Sequence, residues 1–123
     1  MGINSTEVAY GFGQLGSSFN DGTAAMTPPT GKVFIAITFL ADTTFDASGG
    51  LIADTNYTAT EGLEYVGTEA AAHNLSVASE TAISGGGGLQ IDASNTFPKG
   101  VTIYGRWTEI DLASGMCIAY IGE

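Results

Sequence analysis

The hydrophobic positions of this chain come in short runs broken by glycine, proline and aspartate, and within the runs they alternate with polar positions or fill both phases. An extended backbone sends successive side chains to opposite faces, so runs of this kind, rich in β-branched and aromatic residues, predict strands. The clearest is Lys32–Leu40, KVFIAITFL. Val33, Ile35, Ile37 and Phe39 are expected on one face, and Phe34, Ala36, Thr38 and Leu40 on the other. A strand apolar on both faces is buried on both, or has one face against another subunit. Leu51–Ala53, Tyr57–Thr60, Leu63–Val66 and Leu75–Ala78 read as weaker strands. Residues 67–75, GTEAAAHNL, also fit a short helix with Thr68 as N-cap and Glu69 in its first turn. Local pattern does not decide between helix and strand there.

The last quarter, FPKGVTIYGRWTEIDLASGMCIAYIGE, is the richest stretch. Its apolar set starts on odd positions, Val101, Ile103 and Trp107, and ends on even ones, Ile110 and Leu112. The phase therefore slips near Thr108, as a β-bulge or a strand turning a corner would make it do. Gly105 leaves room for a ring lying across it, or for the bend itself. Ala113-Ser114-Gly115 reads as a hairpin loop. Met116–Ile121 is again apolar on both faces and must be central or covered.

Residues 1–31 are rich in Gly, Ser, Thr, Asn and Pro, with apolar residues spaced singly. They predict an N-terminal arm with one short strand near Val8–Phe12, closed by Pro28-Pro29. Residues 41–50, ADTTFDASGG, predict a loop. The expected domain is then 32–123: an all-β sandwich, jelly-roll-like, with roughly six to nine short strands. Composition agrees. Glycine is 18 of 123 residues, about twice the ordinary ~7%, and charged residues are 13% against a typical ~25%.

Charge narrows the partners. The net charge is −10, and the cations are Lys32, Lys99 and Arg106. Three scattered cations make no phosphate-binding patch and give no pull toward an anionic membrane, so neither nucleic acid nor membrane is expected as a partner. No apolar run approaches the ~18 residues of a membrane span. MGINSTEV lacks the basic start and apolar core of a secretion signal, and its Gly2…Thr6 match to the myristoylation pattern is a chance-level one.

The chemistry-bearing residues are sparse. Cys117 is the one cysteine, lies in an apolar run and is expected as a buried small hydrophobe; His73 is the one histidine. Gly11–Gly16 spells GxGxxG, but the residues after it make a poor helix, so a dinucleotide site is not expected. Asp42, Asp46 and Asp54 surround a loop and are weighed as hard-cation ligands against solvated turn residues, the better account. Glu61, Glu64, Asp92, Glu109 and Asp111 offer carboxylate pairs, but Glu109 and Asp111 alternate with Ile110 and Leu112 as a solvent-facing side does. Asn4, Asn56 and Asn74 begin sequons of the kind a Thr-rich chain makes by chance. Trp107 with Tyr104, Phe97 and Tyr120 is expected as a core aromatic cluster in preference to a sugar-stacking platform. No catalytic residue, cofactor or metal is expected.

YGFGQLGSSF, GKVFIAITFLADTTFD and TFPKGVTIYGRWTEIDLASGMCIAYIGE resemble small proteins from the structural gene clusters of marine tailed bacteriophages. The matching segments cover somewhat under half of the chain, and nothing between Asp46 and Asn95 carries the likeness. The resemblance implies a virion component made in the host cytoplasm, and most resembles a head decoration, or cement, protein. It implies a homo-oligomer, typically a trimer, attached to the major capsid protein on the phage head surface. Another virion part (tail, neck or fibre) and a carbohydrate-binding or hydrolytic β-sandwich are the alternatives. The candidate oligomer or capsid interface is Phe34, Leu40, Met116, Ile118, Tyr120, Phe12 and Leu15.

Overall fold

The computed structural model describes residues 15–54, 65–68 and 91–123. They form seven strands and no helix: β1 Ser17–Asn20, β2 Val33–Phe39, β3 Thr44–Phe45, β4 Leu51–Ala53, β5 Thr102–Ile110, β6 Leu112–Ser114 and β7 Cys117–Gly122. Five make one antiparallel sheet in the order β1-β7-β2-β5-β4, and β3 pairs with β6 in a second. The fold is all-β, with two sheets arranged as a β-sandwich. Its core holds Phe34, Ile37 and Phe39 of β2, Phe45 of β3, Leu51 and Ala53 of β4, Trp107 and Ile110 of β5, Leu112 of β6, and Cys117, Ala119 and Ile121 of β7.

β2 sits in the middle of the large sheet, as a strand apolar on both faces must. One expectation about it fails. Its register shifts between Phe34 and Ala36 against both neighbours, which inserts one extra residue against β7. The bulge reverses parity, so Phe34 shares the core side with Ile37 and Phe39, while Val33 and Ala36 lie outside that cluster. The slip expected in β5 is present. Ile52 pairs with Glu109 and Ala53 with Trp107, so Thr108 is the additional residue against β4.

The hairpin expected at Ala113–Gly115 does not form. Leu112–Ser114 is itself a strand that pairs with Thr44–Phe45, and β2 separates β5 from β7. The chain turns after β6 at Gly115, whose φ is +100°. A Cβ there would meet Thr43 Oγ1 and lie 2.7 Å from the Asp42 carbonyl oxygen. The loop expected at 41–50 accordingly contains a strand, and Phe45 within it is fully buried. Phe45 closes an aromatic cluster with Phe39 and Phe97, with ring centroids 5.2–6.0 Å apart. Trp107 packs elsewhere in the core, and Tyr104 is exposed, so the aromatic grouping expected around Trp107 is split.

The arm expected over 1–31 is also revised. Ser17–Asn20 is the edge strand next to β7, and Met26 exchanges backbone hydrogen bonds with Ile110 at 2.8 and 2.9 Å. Residues 17–26 thus belong to the domain. The arm's residues 1–14, with Phe12, and the strands expected at 57–60 and 75–78 lie outside the described residues. Gly67 and Thr68 pack against β4: Thr68 N–H donates to the Leu51 carbonyl, and Thr68 Oγ1 accepts from Leu51 N–H at 2.9 Å. The short helix weighed for residues 67–75 lies, beyond Thr68, outside the described residues.

Candidate functional site

The five-stranded sheet has one face on the core and one turned away from it. Register defines the second face. Phe19, Ile118, Thr38 and Thr102 lie in one row across β1, β7, β2 and β5. Ser17, Tyr120, Ala36 and Tyr104 make the next row on the same side. The row between them, Ser18, Ala119, Ile37 and Ile103, points to the core. Leu40 N–H donates to the Met116 carbonyl at 2.9 Å and extends the outer face by a further row.

This face carries no charged residue in these rows, although the chain has 13 acidic residues. Tyr104 is 67% exposed and Phe19 56%. Ala36 has no exposed surface although it lies on this side, as a methyl between two cross-strand tyrosines would. Thr38 and Thr102 hydroxyls share a hydrogen bond of 2.8 Å. The charged groups stand at the border: Arg106 Nε is 3.3 Å from Asp54 Oδ2, Arg106 Nη1 donates to the Glu123 carbonyl at 2.9 Å, and Lys32 pairs with Glu123 at 3.1 Å.

The structure sorts the candidate interface residues. Leu40, Met116, Ile118 and Tyr120 are half-buried, on the outer face. Leu15 is exposed in the turn before β1. Phe34 is a correction: it is fully buried in the core and offers no surface to a partner, because the β2 bulge turns it inward. Phe19 and Tyr104, which the sequence did not place at the interface, are the most exposed large rings of this face. Phe19 sits in a stretch read as an arm, and Tyr104 was assigned to the core cluster.

Among the described residues the alternatives for chemistry are not assembled. Asp42 Oδ1 accepts the Lys99 N–H at 3.0 Å, Asp54 is buried and paired with Arg106, and Asp46 lies near Asp111. Among the described residues no three His, Cys, Asp or Glu side chains are grouped as a metal site needs. Asp92 is a turn residue: its Oδ1 accepts from Ser94 N–H at 2.8 Å, and the Ser94 hydrogen bonds hold its carboxyl below the usual range. Cys117 is fully buried, and desolvation pushes its thiol up to about 11. Leu15-Gly16, the end of the GxGxxG stretch, leads into a strand, whereas a dinucleotide site requires a helix N-terminus. Trp107 is fully buried and its Nε1–H donates to the Val66 carbonyl at 2.7 Å, so it is a core residue. His73, Glu61, Glu64 and the three sequons lie outside the described residues. No protein-family model, curated protein or solved structure matches this chain.

Proposed function

We propose that this chain is a non-enzymatic structural protein of a phage virion, a decoration protein that binds the major capsid protein on the outside of the head. The observation that carries the reading is the uncharged outer sheet face with Phe19, Ile118, Tyr120 and Tyr104. Aromatic residues are enriched at protein interfaces and charged ones depleted at their centres, which is the balance of this face. The resemblance to small virion proteins of marine tailed phages supports the same reading, and the jelly-roll strand order and oligomeric assembly belong to that proposal. The acidic remainder would favour a less acidic lattice.

The test is binding of the purified protein to capsid shells that lack it, followed by electron microscopy. High copy number on the head surface is the expected result, with Tyr104→Asp and Ile118→Asp reducing the bound copies at least tenfold. Attachment confined to tails or necks would move the protein elsewhere in the virion. One observation favours a second reading: the exposed Tyr104 ring would suit stacking on a sugar. Glycan binding that Tyr104→Ala abolishes, with no capsid binding, would support it.

A further inference from the structure

We propose that the edge of β1, which no described strand covers, is a self-association site, at which two copies of this chain pair β1 to β1, antiparallel, about a two-fold axis. The two edges of the large sheet differ. Beyond β4, Thr68 bonds Leu51 through backbone and side chain, and Ile91 N–H donates to the Gly67 carbonyl at 2.9 Å. Beyond β1 no described strand lies. Ile121 N–H donates to the Gly16 carbonyl at 2.8 Å. In an antiparallel ladder that pair fixes the alternation: Ser18 and Asn20 turn their backbone groups toward β7, and Ser17 and Phe19 turn theirs outward. The edge thus presents two N–H and two C=O groups, and a second strand satisfies them.

The sequence of the edge selects a second copy as that strand. Exposed edges are ordinarily blunted by lysine, proline or inward charge, and Ser17-Ser18-Phe19-Asn20 has none of these. In a chain of net charge −10, two copies meet most cheaply where neither brings a carboxylate. Setting Ser18 opposite Ser18 of the second copy pairs Ser17 with Phe19 on both sides. All four outward-facing residues are then bonded within the strands, and the outer faces join on one side. In that register the two Asp21 carboxylates stand roughly 20 Å apart at ~3.3 Å per residue, beyond the ~8 Å screening length at physiological salt. Centring on Phe19 would bring them closer and pair Ser17 with Asp21. Because a sheet edge joins two chains, this contact builds a dimer, and a trimer would need a different surface. The inference does not rest on the virion reading.

The test is Ser18→Cys in the full chain under mild oxidation. Cys117 is buried, so the wild type serves as the thiol background, and Thr30→Cys is an exposed control. Ser18→Cys should form the disulfide dimer at least tenfold faster than Thr30→Cys, since directly opposed residues of a non-hydrogen-bonded pair come close. Ser17→Pro removes an outward N–H without touching the β7 ladder, so it should weaken dimerisation at least tenfold in sedimentation while keeping the circular dichroism spectrum. A wild-type chain that stays monomeric at about 100 μM, a range in which weak complexes form, would overturn the proposal. So would a trimer, or equal cross-linking of the two cysteine variants.

Discussion

Trp107 shows how much one residue carries. Its ring has no exposed surface, its N–H is held by Val66, and Gly105 makes room for it: a Cβ on Gly105 would lie 2.7 Å from the ring. Trp107→Ala should cost about 3–5 kcal/mol in denaturant unfolding, a large part of the ~5–15 kcal/mol that holds a domain together. Asp111 works the other way. Its Oδ1 is buried without a hydrogen-bond partner, and desolvation first, then the Asp46 carboxylate, raises its carboxyl above the ordinary 3.8. An acid whose pKa rises on folding opposes folding above that raised value, and the opposition fades as pH falls through it. Asp111→Asn should therefore melt higher than the wild type at pH 7, with the gap closing toward pH 4; a gap constant across that range would refute the assignment. The burial of Cys117 was legible because it lies in an apolar run, and that of Trp107 because it falls in the apolar phase of an alternating strand. The strain at Asp111 was not, because alternation with Ile110 and Leu112 marks a side and says nothing of the Asp46 loop that packs there.

At the scale of elements, period two identified β2, β4, β5 and β7 nearly to the residue. It failed at β3, which lies in a stretch read as a loop, and at β6, whose residues were read as a strand end and a hairpin turn. β3 has two residues and β6 three, and both are held by partners far away in sequence. It also misplaced Phe34, since a bulge inverts parity without any glycine or proline to announce it. The Gly115 turn joins these elements, and Gly115→Ala should cost about 1–3 kcal/mol for the left-handed backbone alone, more with the contacts to Thr43 and Asp42. β1 gives a second check. Removing residues 1–20 takes away the strand that covers β7 and makes Cys117–Gly122 an edge. That truncated chain should aggregate or melt well below a chain lacking residues 1–14 only; equal melting of the two would show that β1 contributes nothing to the fold.

For the whole molecule, charge and the uncharged outer face pull against each other. Two copies each carrying −10 repel over long distances, while edges and apolar faces attract only on contact. Raising salt from about 20 mM to about 300 mM shortens the screening length several-fold, and self-association measured by sedimentation should strengthen accordingly. An association driven by surface ion pairs would weaken instead. The all-β class was readable from glycine, threonine and the scarcity of charge. The binding face was half readable: the sequence named Ile118, Tyr120, Leu40 and Met116 as second-face residues, but the row that unites them with Phe19 and Tyr104 exists only once β1 and β5 flank the pair.

The central place of β2 also sets an order of events during synthesis. Its neighbours β5 and β7 begin 63 and 78 residues after its end, so at ~5–20 residues per second the first of them follows after about 3–13 seconds. For that interval the segment VFIAITF has left the ribosome without either partner strand, and nothing local can shelter it. A cell that makes this protein in quantity must keep that segment from meeting its twin on a neighbouring chain, so yield of soluble protein should rise when a holding chaperone is supplied.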